Sequence, residues 1–175
     1  MSTSHTANGT YAIRPADTVD FDEILRLNAE WTHFTSDLDE AVLTHLHTQA
    51  VHHRVVEVTE SSRRIVAFLL ALREGADYDS PNFRWFDERG GTFIYVDRVI
   101  VDRSEQGNGI ATMLYDDLFS FAGSEGIEHI VCELDVDPPN EASRRFHDNY
   151  GFREIGTQWI AGGTKRVSLR QADVC

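Results

Sequence analysis

The residues with the most chemical content lie in one run, Val99-Ile100-Val101-Asp102-Arg103-Ser104-Glu105-Gln106-Gly107-Asn108-Gly109-Ile110-Ala111. An apolar, strand-like stretch passes into a loop with two glycines, and the loop opens a helix. The first amides of a helix lack internal acceptors, and the helix dipole adds positive potential there. Glycines let the backbone approach an anion closely, so the run has the makings of a phosphate cradle. It is not a P-loop, which needs a Lys-Ser/Thr pair where this chain has Ile110-Ala111. A dinucleotide fingerprint would begin Gly107-x-Gly109, yet position 112 is Thr112. Glu128 or Glu133 lies about 20 residues on, as that motif wants, but too little chain remains for a doubly wound cofactor domain.

Carboxylates and aromatics near this run are the next candidates. Asp97 interrupts an apolar strand, and a buried carboxylate needs either a partner or a task. An ion pair with an arginine and a role as catalytic base both satisfy that need. Glu133, near the end of a second strand, is the weaker alternative. His45 and His47 fall on different helix faces and His52-His53 are adjacent, so no metal is expected and these histidines read as solvent-exposed. Residues 73 to 92 carry Tyr78, Phe83, Trp85 and Phe86 in what reads as a long irregular loop. Together with Asp37, Asp39, Asp77 and Asp79, these aromatics either wall a pocket for a cationic group or anchor the loop on the core. Asp37, Tyr78, Trp85 and Tyr95 are the candidates for binding an acceptor.

Several elements must position these groups. A short strand, Tyr11 to Arg14, is stopped by Pro15, and Asp17, Thr18 and Asp20 are plausible caps for a helix carrying Phe21, Ile24, Leu25 and Asn28. A second amphipathic piece follows Ser36 or Asp37 with Leu38, Val42 and Leu46 on one face. Arg54–Val58 and Ile65–Leu72, joined by Thr59-Glu60-Ser61-Ser62, read as a hairpin. Phe93–Val101 reads as a strand buried on both faces. A helix from about Gly109 presents Ile110, Leu114, Leu118 and Phe121, and ends near Gly123 or Gly126. Strand Ile130–Leu134 leads to Asp137-Pro138-Pro139-Asn140, where Asn140 is placed to open a helix with Ala142, Phe146 and Tyr150 on its core face. Phe152–Trp159 and Lys165–Leu169 flank Gly162-Gly163, a hairpin signal.

Composition bounds the rest. The 175 residues are enough for one domain, expected over residues 11–175, with Met1–Thr10 as a polar, disordered tail that lacks a signal core. Sixteen Lys+Arg against twenty-nine Asp+Glu leave a formal charge of -13, which argues against nucleic acid and suits an amine-bearing partner. Cys132 and Cys175 form no disulfide framework, so a reducing cytoplasm is the expected compartment. No apolar run approaches the roughly 18 residues of a membrane span, so no membrane association is expected.

Gln106-x-x-Gly109-x-Ala111 resembles the pyrophosphate-binding signature Gln/Arg-x-x-Gly-x-Gly/Ala of the GNAT superfamily of N-acetyltransferases. Asn140-x-x-Ser143-x-x-Phe146-His147-x-x-x-Gly151-Phe152 resembles that family's second signature, and the pair at this distance is more specific than either alone. The detail looks like an uncharacterised bacterial branch. The resemblance implies an α/β (α+β) fold, a mixed and splayed sheet of six or seven strands flanked by about four helices. It implies acetyl-CoA as co-substrate, with backbone amides of Gln106, Gly107, Asn108, Gly109, Ile110 and Ala111 on its pyrophosphate. Val99, Ile100 and Val101 would pair with the pantetheine as an added strand, and Asn140, Ser143 and His147 would meet the pantetheine arm.

Acetyl transfer to an amine needs the neutral amine, so a base must act on a group with a reference pKa of about 10.4. Asp97 stands where the family often supplies a carboxylate, with Glu133 second. The family's acid is commonly a tyrosine four residues before Gly-Phe; here that position is His147, which leaves His147, a relocated tyrosine or solvent to protonate the leaving thiolate. The expected activity is acetyl-CoA-dependent transfer to a primary amine of a small molecule or protein. The alternative is a non-catalytic acyl-CoA-binding module. Many relatives are homodimers, and nothing in the sequence decides that state.

Overall fold

A computed structural model describes residues 3–6, 9–60 and 63–175, with side chains described from residue 11 onward. Ser61 and Ser62 of the expected turn lie outside the described residues. Contacts cluster the chain into two compact units, residues 1–72 with 97–120, and residues 73–96 with 121–175.

In the first unit, strands β1 (Thr3–Thr6), β2 (Gly9–Pro15), β3 (Ala50–Val58) and β4 (Ile65–Arg73) form an antiparallel run in chain order. The later half of β5 (Phe93–Val101) lies beside β4. Strand β1 is a correction, because the first ten residues were expected to be a disordered tail. The apolar run of β4 is buried from Ile65 through Leu72, as a strand covered on both faces must be. Helix α1 (Phe21–Ala29) is entered through a 3-10 turn whose cap is Asp17, with Asp20 returning the capping-box bond. Arg14 holds Asp20 through two bonds of 2.8 Å. Helix α2 (Glu40–Gln49) is capped by Asp39, whose Oδ1 accepts from the Val42 amide at 2.8 Å. Its buried face carries Leu43 and Leu46, whereas Val42 is 42% exposed, so the helix is rotated from the expected phase.

The second unit contains the earlier half of β5, then β6 (His129–Asp137), β8 (Lys165–Asp173) and β7 (Arg153–Ile160) in spatial order. The β5–β6 pairing is parallel and the other two are antiparallel, which makes the arrangement mixed. Residues 73–92 are not wholly irregular as expected. Ser80 caps helix α3 (Pro81–Asp87), with Pro81 in the first turn, where its missing N–H is harmless. Helix α5 (Glu141–Asn149) is capped by Asn140 and ends before Gly151, at φ +82°. Helix α4 (Ile110–Ser124) runs from the first unit into the second. The α/β class with a mixed sheet is as expected; among the described residues there are eight strands, β1 included, and five α-helices.

Trp85 of α3 packs against β7 where Gly156 has no side chain. A Cβ on Gly156 would stand 2.5 Å from the indole Cζ2 and 2.8 Å from Cη2. Gly156→Ala is therefore expected to destabilise by about 1–3 kcal/mol through overpacking, read as a lowered urea midpoint with an unchanged slope. An unshifted midpoint would show that the ring moves freely.

Candidate active site

The glycine loop is built entirely within the first unit, and side chains brace it from beneath. After β5, the Asp102 amide donates to Val66 O at 2.8 Å. Its Oδ1 accepts from the Ser104 amide at 2.9 Å and the Ser104 hydroxyl at 2.7 Å. Its Oδ2 accepts from Arg64 at 2.9 Å and lies 3.5 Å from Arg26. Burial alone would raise the Asp102 carboxyl, but the Ser104 bonds and the Arg64 and Arg26 cations outweigh it and hold the group below the usual carboxylate range. A 3-10 turn over Arg103–Glu105 follows, and Gln106 leaves it in extended backbone.

Glu105 is the second brace. Tyr11, 1% exposed in β2, donates its hydroxyl to Glu105 Oε2 at 2.7 Å, while Arg64 donates to Oε1 at 2.7 Å. Asn108 Nδ2 lies 3.2 Å from the Tyr11 hydroxyl and 3.3 Å from Glu105 Oε2. Gly107 and Gly109 sit at φ +80° and +76°, in the region that L side chains avoid, and a Cβ on either would meet nothing within 4 Å. The glycines serve conformation here, and the space over them is open. The first helical bond runs from the Met113 amide to Gly109 O at 3.0 Å. The amides of Ile110 and Ala111 precede that bond and stand at the helix end, where an anion can be held.

Val99 and Val101 are half-buried and Ile100 is 3% exposed, so the strand alternates as it reaches the loop. The Asp97 side chain is only 3% exposed although the residue is half-buried, which means that solvent reaches its main chain. Asp97 Oδ2 accepts from Arg98 Nε at 2.7 Å. Arg98 Nη1 also donates to Asn28 Oδ1 at 2.8 Å and Ser36 O at 3.2 Å, and Nη2 to Ser36 Oγ at 3.0 Å. The expected arginine partner of Asp97 is thus its neighbour in sequence. Asp37 is exposed beside Ser36.

The remaining candidates lie in the second unit. Glu133 is half-buried on β6, opposite Leu169. Asn140 Oδ1 accepts from the Ser143 amide at 3.2 Å, so the pair is joined by the cap itself. Among the described residues, the parallel β5–β6 pairing covers Phe93–Tyr95 against His129–Val131.

One expectation needs correction. Tyr95 is 1% exposed, with its ring 5.5 Å from Phe83, 6.0 Å from Phe86 and 6.4 Å from Tyr78, so it is a core residue and not an acceptor contact. Trp85 is half-buried, with its indole over Gly156 and the Arg89 guanidinium 4.1 Å from its ring centroid. Tyr78 joins the same cluster, so the aromatics anchor this segment on the core.

His147 lies on the inward face of α5. It is 3% exposed, its Nδ1 lies 2.7 Å from Ser143 O, and its ring stands edge-on to Phe152 at 5.1 Å. Burial drives its pKa down to about 4 against the partial support of that carbonyl. Nδ1 is thus engaged by its own helix.

His52 and His53 are also buried, contrary to the solvent-exposed expectation. Burial, with Arg54 nearby, lowers His52 to about 4; burial, with His47 nearby, lowers His53 to about 3. His53 Nδ1 lies 2.9 Å from His47 Nδ1. For all three lowered imidazoles the unfolded chain binds protons first as pH falls. Their stabilisation is complete above about pH 6.5 and is lost as pH drops toward the folded values. The urea midpoint is expected to fall from pH 7 to pH 5; a flat midpoint over that window would contradict the burial of these rings.

A mixed α/β fold with an open glycine loop feeding a long helix offers an anion site at the helix N-terminus. The family model for the acetyltransferase (GNAT) family matches residues 18–152, and the chain belongs to that family. It is similar to phosphinothricin N-acetyltransferase of Streptomyces coelicolor, at 39% identity over 51 residues, which span 29% of this chain and 29% of that protein. In fold it resembles Ard1 from Thermoplasma volcanium, with 18% identity, a TM-score of 0.73, and 94% and 98% of the two chains covered. It also resembles Arabidopsis thaliana Naa50 in complex with the bisubstrate analogue CoA-Ac-MVNAL, with 12% identity, a TM-score of 0.71, and 93% and 97% covered.

Among the described residues, no group of His, Cys, Asp and Glu is arranged to hold a metal ion, and no helix is long and apolar enough to cross a membrane. Sequence reasoning missed Tyr11, Arg64, Asp102 and Glu105 as braces of the loop. Only Asp102 and Glu105 carried a local signal, as acidic residues flanking an anion-binding motif.

Proposed function

We propose that the enzyme transfers the acetyl group of acetyl-CoA to a primary amine. The observation that carries this reading is the loop from Gln106 to Ala111. Its two glycines stand at positive φ, nothing crowds them, and the first amides of α4 precede the helical ladder. Those amides would hold the pyrophosphate, and the main chain of Val99, Ile100 and Val101 would pair with the pantetheine. Asn140 and Ser143 keep a pantetheine-contact role from the family pattern.

Asp97 removes the ammonium proton, directly or through water, and the free amine attacks the thioester carbon. The carbon–sulfur bond breaks, and the thiolate takes a proton from His147, a relocated tyrosine or solvent. Glu133 is the second candidate for the base. The -13 formal charge favours a cationic acceptor, for which exposed Asp37 is a candidate contact. The free Cys132 and Cys175 support a cytoplasmic site of action.

Thiol release from acetyl-CoA is the test, with phosphinothricin and the peptide Met-Val-Asn-Ala-Leu as the first amines because relatives are named for or bound to them. Release that depends on an amine supports transfer. CoA binding with no release across a wide amine panel would favour the non-catalytic module.

A further inference from the structure

We propose that Arg64 is a positioning residue for the CoA-binding loop, neutralising the two carboxylates that brace it and so making it receptive to a polyanion. The inference rests on the acetyl-CoA reading above. Asp102 and Glu105 lie at the start of the loop, and each would repel a pyrophosphate brought to the amides a few residues on. Both are needed, since Asp102 anchors Ser104 while Glu105 ties Tyr11 and Asn108 together. One guanidinium reconciles these demands: Nη1 of Arg64 reaches Asp102 Oδ2 at 2.9 Å, and Nη2 reaches Glu105 Oε1 at 2.7 Å.

The geometry requires a fork, because the two acceptors belong to different residues, the cap of the 3-10 turn and its last residue. A lysine has one compact cationic centre and serves two separated carboxylates less well. Arg64 is 40% exposed whereas Asp102 and Glu105 are 10% and 17% exposed, so the cation comes in from the solvent side over largely covered anions. Arg26 adds a second, longer contact to Asp102 at 3.5 Å and has its own partners in Glu23 and Glu30. It therefore does not replace Arg64 at Glu105.

The test is calorimetric titration of CoA into the wild type, Arg64→Gln and Arg64→Lys, each at about 50 mM and 500 mM NaCl. Arg64→Gln is expected to weaken CoA at least tenfold at low salt. The deficit should shrink to less than threefold at high salt, because added ions screen the exposed repulsion. Arg64→Lys should recover part of the low-salt loss. A deficit in Arg64→Gln that is the same at both salts would overturn the proposal and mean that the arginine merely holds the loop's shape. Unchanged CoA affinity would overturn it as well. Should Arg64→Gln fail to fold, Arg64→Lys decides alone: affinity equal to wild type at low salt supports simple neutralisation without the fork and overturns the proposal as stated, whereas a salt-sensitive loss upholds it. A wild type that binds no CoA would instead sink the acetyl-CoA reading, and this inference with it.

Discussion

Gly109→Val is expected to abolish useful CoA binding while leaving a folded protein. Position 109 stands at φ +76°, where a β-branched residue is strained by about 1–3 kcal/mol. Nothing lies within 4 Å of the new Cβ, so the substitution overpacks no core. The chain relieves the strain by turning the peptide at the start of α4, which takes one or two amides off the anion. Charge-assisted hydrogen bonds of this kind contribute about 1.5–3 kcal/mol each. Losing one or two of them weakens CoA by about 100-fold. Calorimetric titration measures the loss, and a thermal midpoint within a few degrees of wild type separates it from unfolding. Wild-type affinity in Gly109→Val would remove the loop from the cofactor site.

Asp97→Asn is the second large effect. Removal of a general base lowers turnover by about 10²–10⁴, and CoA affinity should stay within about twofold because the side chain is not part of the cradle. Asparagine retains an oxygen for Arg98 Nε, now at 2.7 Å from the carboxylate. That choice limits the penalty of leaving a buried guanidinium without its anion, which is about 3–5 kcal/mol when one partner is simply deleted. Full turnover in the variant, with the best amine of the panel, would assign Asp97 to the ion pair alone and move the base to Glu133.

Much of the frame was legible because periodicity and punctuation agree in this chain. Phe93–Val101 read as a strand from its unbroken apolar and branched residues, and its bounds are those of β5. Asn140 read as a cap, and its side chain accepts from Ser143. The errors have physical sources. Pro81 and the scattered aromatics of residues 73–92 looked irregular, because a seven-residue helix is too short to display a 3.6-residue period. His52 and His53 are adjacent in a strand, so their side chains project to opposite faces. Both faces of β3 are covered there, a fact set by α2 and α4 and invisible in the local pattern.

The site was legible in its backbone and obscure in its side chains. Gly107 and Gly109 report their own conformation, since only a need for positive φ explains two glycines in that spacing. Tyr11 and Arg64 stand 94 and 41 residues from Glu105, and no local pattern links residues so far apart. The environment of His147 is obscure in the sequence for a related reason. An imidazole's chemistry depends on its burial, and the burial comes from Phe152 and the sheet beneath α5 rather than from the helix that carries it.

The most direct measurement is thermal unfolding of the wild type with acetyl-CoA, CoA, NAD and NADP in parallel. A ligand that binds the native state raises its apparent stability by about 2.7 kcal/mol at one hundred times its dissociation constant. The account predicts a rise with acetyl-CoA and CoA and none with the nicotinamide dinucleotides. No rise with either CoA species at saturating concentration, or a rise with NAD alone, would contradict it.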